Sequence, residues 1–217
     1  MEPSFWIERW NEGQIGFHLS DVNPALSRYW PRLGHAHAGP VLVPLCGKTR
    51  DLLYLRELGH PVTGIELSPL AVEAFWLESG ITPTIAQDGF HRIFEGAGIR
   101  IIEGDFFTTR PSQFEPPAWV YDRAALIALP PPLRDRYCQH LLSLAKGAPI
   151  FLITLAYDPE EKEGPPFPVT AQEVETRFSE THHIEILESR EVLEENPSFK
   201  QRGVSALTEQ VFLLTPK

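Results

Sequence analysis

The chain has little cysteine, no run of basic residues and no apolar stretch long enough to span a bilayer, and each shortage removes a class of protein. Its two cysteines, Cys46 and Cys138, are too few and too scattered to staple a secreted domain, and no CxxC pair suggests zinc or redox work. Both read as reduced thiols, and a small buried cysteine accounts for Cys46 better than a nucleophile does. At a formal net charge of −10, with no basic run to offset it, neither nucleic acid nor an anionic membrane surface is an expected partner. Residues 1–20 carry Glu2, Glu8, Arg9 and Glu12 among their apolar positions and so lack a signal-peptide core. These absences set the expectation of a soluble, cytoplasmic, monomeric protein acting on a small molecule. Internal repeats, low-complexity tracts and linkers are missing too, so one domain over residues 1–217 is expected.

What is present is organised around residues 41–66, VLVPLCGKTRDLLYLRELGHPVTGIE. Val41, Leu42 and Val43 read as a strand buried on both faces, running into the turn Leu45-Cys46-Gly47. Leu52, Leu53, Leu55 and Leu58 then recur at helical spacing, and Gly59 stands where a left-handed cap is wanted. Residues 62–65 resume an extended run that ends on Glu66, about 20 residues after the turn, where a nucleotide-binding unit places the acid that bonds ribose. The unit points to a nucleoside cofactor, although doubly wound sheets without cofactors share the pattern.

Ahead of it, Phe5, Trp6 and Trp10 share a helical face that Gly13 ends. Asp21 or Asn23 is placed to cap a second helix starting near Pro24, and 34–40 is a loop. This aromatic-rich N-terminal region, 1–40, reads as helical cover for the cleft. Ser68 and Pro69 begin another helix that Gly80 stops. Residues 84–86 suggest a short strand, 90–94 are ambiguous between helix and loop, and 99–102 form a clearer strand that runs into Gly104-Asp105-Phe106-Phe107. Trp119-Val120-Tyr121 is a strand ending on Asp122-Arg123, followed by a helix broken at prolines 130–132 and resumed over 133–145. Residues 150–155 are the most apolar strand, and the loop YDPEEKEGPPFP after it is a candidate lid. Thr170 is placed to cap a helix to Phe178. The two last runs, 184–187 with an extension to Val192 and 206–214, are separated by too little chain for a crossover helix and should be antiparallel neighbours.

In an open alternating sheet, ligands lie outside the carboxyl ends of the strands. Four such ends here carry chemistry: Leu45-Cys46-Gly47, Glu66, Asp105 and Asp122-Arg123. Glu66 would accept ribose hydroxyls, main chain at Asp105 and Phe106 could read an adenine edge, and Gly47 would admit close approach. The turn has one glycine instead of G-x-G-x-x-G, so a ligand without a pyrophosphate fits better. A sulfonium would sit well on an aromatic face such as Trp10. The expected fold class is α/β, a doubly wound Rossmann-like sheet of the class I methyltransferase kind, mostly parallel with a terminal antiparallel strand. His35-x-His37 and His182-His183 lack ligand companions, so no metal is expected. His18 and His91 could line an acceptor pocket or take surface or core roles.

FWIERWNEGQIGFH, VLVPLCGKTRDLLYL, GHPVTGIELSPLAVEAF, EGDFF, VYDRAALIALPPPLR, YDPEEKEGPPFPV and VFLLTPK together resemble the bacterial thiopurine S-methyltransferases over nearly the whole chain. The resemblance implies S-adenosyl-L-methionine as donor and a small, aromatic or heterocyclic thiol as acceptor, or a selenium or tellurium species. It also implies Trp10, Leu45, Glu66 and Arg123 as cofactor contacts, main chain near Asp105 and Phe106 at adenine, and Phe17 as an aromatic wall for the acceptor. Arg123 could serve cofactor, acceptor or both by favouring a thiolate, and Asp122 beside it is a weak candidate base or the acid that orients the arginine. Ser198 stands where members of the family often carry a second arginine, which leaves Lys200 or Arg202 to supply that charge. A nicotinamide-dependent oxidoreductase and a non-catalytic S-adenosylmethionine-binding domain are the alternatives.

Overall fold

In the computed structural model, which describes residues 3–33 and 39–217, two helices precede the first strand, α1 (Pro3–Asn11) and α2 (Pro24–Leu33). Asn23 is the cap of α2: its side-chain oxygen accepts from the amides of Ala25 at 2.9 Å and Leu26 at 3.2 Å. His35, His37 and most of the 34–40 loop lie outside the described residues.

The 41–66 unit forms as its pattern suggests. The buried strand β1 (Val41–Val43) leads through the glycine turn into α3 (Asp51–Glu57), and Gly59 at φ +96° lets the chain turn back into β2 (Val62–Glu66). Ser68 then caps α4 (Pro69–Ser79) by accepting from the Ala71 amide at 3.3 Å, and Gly80 closes it in the left-handed region.

Residues 84–103 are an antiparallel meander of β3 (Thr84–Asp88), β4 (His91–Gly96) and β5 (Ile99–Glu103). The stretch 90–94 is thus turn and strand, not helix. Phe90, 99% exposed at the hairpin tip, and the exposed edge strand β3 are what obscured the alternation in the sequence. Beyond the meander, β5 pairs parallel with β2, β2 with β1, and β1 with β6 (Trp119–Arg123).

The chain divides into two compact units, the first of residues 1–121 and 143–146, the second of residues 122–142 and 147–217. The first carries the strand order β3-β4-β5-β2-β1-β6, with a parallel centre and an antiparallel edge.

In the second unit a 3-10 turn, Leu126–Ala128, separates β6 from α5 (Pro131–Ala145). A helix interrupted by the prolines was expected; instead Pro131 and Pro132 open it, where their missing amides cost nothing. Then come β7 (Ile150–Ala156), α6 (Ala171–Phe178) capped by Thr170, β8 (His182–Glu191), the short α7 (Pro197–Gln201) and β9 (Thr208–Pro216). These strands run in the order β7-β9-β8, and β8 and β9 are the antiparallel neighbours expected. Among the described residues no helix is long and apolar enough to cross a membrane.

Asp51, the first residue of α3, ties the first unit together. Its buried carboxylate accepts from the Asn23 amide at 2.8 Å and the Tyr121 hydroxyl at 2.9 Å, joining the start of α2 to β6. Asp51→Ala withdraws that acceptor from both donors, and we expect a loss of about 2–4 kcal/mol, read as a lower urea midpoint; an unchanged midpoint would show that the two donors find other partners.

Candidate active site

The glycine turn is held in an unusual shape. Leu45, at φ +46°, is a side chain in the left-handed region, followed by Gly47 at φ +56°. Two bonds keep it there: the Cys46 amide donates to Ile65 O at 2.9 Å, and the Gly47 amide donates to a Glu66 carboxylate oxygen at 2.7 Å. The other Glu66 oxygen accepts from the Ser68 amide at 2.7 Å, at the N-terminus of α4. Burial pushes the Glu66 carboxyl above its ordinary range while these amides pull it back. The Leu67 amide favours the ionised form as well; a carboxylate offers about four lone-pair sites, so the group retains capacity for a ligand hydroxyl.

Trp10 of α1 lies over this turn. A side chain at Gly47 would place its first carbon 3.2 Å from the indole ring, and one at Gly64 would meet the Cys46 sulfur at 2.6 Å. Only glycine fits either position. Phe17 stands edge-on to Trp10 at 5.6 Å between ring centroids and to Trp6 at 5.7 Å. Gly104, just before Asp105, donates its amide to Glu66 O at 2.8 Å, so the ends of β2 and β5 meet there. Asp105 caps the short turn Phe106–Thr108 by accepting from the Phe107 amide at 2.9 Å, and Phe106 is buried. The first unit therefore gathers Trp10, Phe17, Leu45, Gly47, Glu66, Asp105 and Phe106. Cys46, buried and with its thiol pushed well above its ordinary pKa by burial and by Glu66, is a packing residue.

Asp122 and Arg123 begin the second unit. Asp122 is 0% exposed; its carboxylate accepts from the Tyr137 hydroxyl at 2.7 Å and the Leu126 amide at 3.1 Å. These bonds hold the sharp turn in which Ala124 adopts φ +63° directly after Arg123. A carboxylate closed off in this way suits the orienting role better than that of a base. Burial raises its pKa to about 6, against the pull of Tyr137 and the Leu126 and Ala125 amides. Burial pushes the carboxyl of Glu209 on β9 above its ordinary range, against the pull of Arg190 and, more weakly, of Arg123.

Of the cations considered for the missing arginine, Lys200 is exposed and paired with Glu194 at 2.6 Å, and Arg202 is exposed. The cation that sequence reading missed is Lys162, within the loop after β7 and 9% exposed. It donates to the carbonyls of Glu163 at 2.9 Å and Pro165 at 3.4 Å, and it lies 5.6 and 5.0 Å from the Tyr157 and Phe199 ring centroids. The Tyr157 hydroxyl donates to Pro166 O at 2.6 Å, so the candidate lid is tied to its own unit. Lysine in an acidic loop gave no sign of this.

The thiopurine S-methyltransferase (TPMT) family profile matches residues 1–217. The chain belongs to the thiopurine S-methyltransferase family. The family enzymes of Nitrosospira multiformis and Pseudomonas fluorescens SBW25 are 47% and 46% identical to it, each alignment covering 99% of this chain and 98% and 99% of the relative. Among solved structures, a SAM-dependent methyltransferase of Anabaena variabilis superposes with a TM-score of 0.63 at 16% identity, covering 99% of this chain and 95% of that one. The Burkholderia thailandensis 1,6-didemethyltoxoflavin-N1-methyltransferase, bound to its substrate and S-adenosylhomocysteine, gives 0.62 at 15% identity, covering 98% and 87%. These likenesses give the fold, the α/β class I methyltransferase sheet. Family membership makes the chain an S-adenosyl-L-methionine-dependent S-methyltransferase, and the nicotinamide alternative is not favoured. The site fits that cofactor: Glu66 keeps free lone pairs for a ribose, and the single-glycine turn beneath Trp10 has no cradle for a pyrophosphate.

Asp122 makes a pH test possible. Its folded-state pKa lies above the unfolded value, so the stability it lends is fully present below about 4 and is lost as pH rises through about 6. We expect Asp122→Asn to remove this fall, on the order of 2–3 kcal/mol, so that wild type minus variant stability declines between pH 4 and 7 in urea titrations; a constant difference would mean that Asp122 does not titrate there.

Proposed function

We propose that the whole chain works as one methyltransferase domain that moves a methyl group from S-adenosyl-L-methionine to a small aromatic or heterocyclic thiol of the thiopurine type, giving the thioether and S-adenosylhomocysteine. The observation that carries the reading is the buried Glu66 carboxylate, bonded at once to the glycine turn and to the start of α4 beneath Trp10. When bound, the cofactor supplies an electrophilic methyl on a sulfonium, which a thiolate takes by in-line displacement. Glu66 accepts the ribose hydroxyls, the main chain at Asp105 and Phe106 borders adenine, and Leu45 and Gly47 line the turn. The indole of Trp10 provides an electron-rich face for the cation. Phe17, edge-on to Trp10, forms the aromatic wall for the acceptor. Arg123 favours an ionised thiol by charge, and Asp122 holds the turn that presents it. A thiolate is already a good nucleophile, so no strong general base is required. Selenium and tellurium species share the soft nucleophile and belong to the same acceptor class. The protein is proposed to act as a cytoplasmic monomer.

Incubation with methyl-labelled S-adenosylmethionine and a thiol panel including 6-mercaptopurine should transfer label to the aromatic thiols; label on none of them would defeat the acceptor assignment. Glu66→Ala should weaken S-adenosylhomocysteine binding by about 10- to 150-fold, the equivalent of 1.5–3 kcal/mol for charge-assisted hydrogen bonds, and calorimetry that finds no change would remove Glu66 from the site. For Phe17→Ala the acceptor KM should rise more than the cofactor Kd, and the opposite ranking would place Phe17 against the cofactor.

A further inference from the structure

His91 opens β4 and is buried, 4% exposed, against the chain that precedes Asp105. A side chain at Gly104 would put its first carbon 2.3 Å from the imidazole, so the ring lies flush on the backbone where β5 ends. Its hydrogen bonds can be assigned a direction from the partners alone. The Gln113 side-chain oxygen accepts from the Arg110 amide at 2.8 Å, a contact that only the oxygen can make. Its nitrogen therefore faces the other way, where it donates to an Asp88 carboxylate oxygen at 2.9 Å and to His91 Nδ1 at 3.2 Å. With Nδ1 accepting, the imidazole proton is on Nε2, which donates to the Thr108 hydroxyl at 3.0 Å and only at the longer 3.5 Å to the Asp105 carbonyl itself. Thr108 passes its own proton on to the carbonyl of Asp105 at 2.8 Å. That carbonyl also accepts from the Thr108 amide at 3.0 Å. One polarised chain thus runs from the Gln113 amide nitrogen, which Asp88 anchors, through His91 and Thr108 to the main chain of Asp105, every donor matched to an acceptor.

We infer that His91 is a positioning residue for the cofactor's adenine: through Thr108 it fixes the Asp105 carbonyl and with it the main chain over 105–107. The inference rests on the proposed assignment of that main chain to adenine. His91 itself touches neither cofactor nor acceptor. A role confined to packing would need only the shape of the ring, whereas this role needs a donor at the Nε2 position.

The test compares Thr108→Val, His91→Leu and His91→Gln with wild type, using S-adenosylhomocysteine calorimetry and amide hydrogen exchange of residues 106–108 without ligand. Glu66→Ala serves as the reference. Thr108 is exposed and valine has its shape, so that variant should fold with an unchanged melting temperature. The expected results are cofactor binding weakened about fivefold in Thr108→Val and about tenfold or more in His91→Leu, faster exchange at 106–108 in both, and an unchanged acceptor KM at saturating cofactor. His91→Gln, whose terminal amide nitrogen can stand where Nε2 stands, should bind within about threefold of wild type. Wild-type affinity in Thr108→Val and His91→Leu alongside a loss in Glu66→Ala would overturn the inference and leave the site standing. Wild-type affinity in all variants, Glu66→Ala included, would overturn both. Loss in His91→Leu without rescue in His91→Gln, or without any effect of Thr108→Val, would reduce His91 to a packing residue.

Discussion

The site depends on one carboxylate kept ionisable inside the protein. Glu66 is buried at the end of β2, where an isolated charge is costly, and it is tolerable there because main-chain amides point at it, two of them at 2.7 Å. One belongs to Gly47, in a turn whose left-handed Leu45 and Gly47 would relax without it; the other starts α4. The bonds that stabilise the acid are thus the bonds that shape the turn. With Gly104 donating to Glu66 O, the end of β5 is placed by the same residue. The buried acid, the turn geometry and the end of β5 are therefore one constraint, and a substitution at Glu66 disturbs all three.

How much of this could be read in advance follows the range of the forces involved. Local signals were dependable: the buried run of β1, the leucine spacing of α3, the caps Asn23, Ser68, Gly59, Gly80 and Thr170, and the antiparallel pair β8 and β9 all appear as the pattern implied. These depend on neighbours within a few residues, where dihedral preference and periodicity act. Of the β3-β4 hairpin, the short strand at 84–86 was legible but β4 was not, because the exposed Phe90 at the tip breaks the alternation that would mark it. The prolines at 130–132 were misread since a proline marks either the interruption of a helix or its first turn, and only the preceding backbone decides which.

Side-chain roles were legible in proportion to how few partners they needed. Glu66 could be picked out from its distance to the glycine turn, because its bonds to the Gly47 and Ser68 amides both fall within 20 residues. Asp51 could not: it reads as an ordinary acid in a helix's first turn, and its partners are 28 residues before it and 70 after it. Asp122, the third of these buried acids, was seen as a strand-end carboxylate, but its closure by Tyr137 and the Leu126 amide, which turns it from a reagent into a fastening, is a tertiary fact. The three acids look alike in the sequence and differ only in what donates to them.

The division of labour between main chain and side chain explains why the glycine turn and its acid are readable in a single sequence and isolated side-chain contacts much less so. Turn amides, a strand-end carboxylate and glycines that admit close packing are tied to backbone geometry, and backbone geometry leaves marks such as G47, G64 and G104. The residues proposed for the acceptor are side chains that packing only loosely dictates, such as Phe17, which stands edge-on to two tryptophans. Ser198 illustrates such a side chain. It lies exposed on α7, whose neighbours Lys200 and Phe199 are engaged by Glu194 and by Tyr157, so the helix is held without it. A residue that carries no structural load there leaves no mark of its own in the fold, whereas the glycine turn and its acid cannot change without the backbone around them.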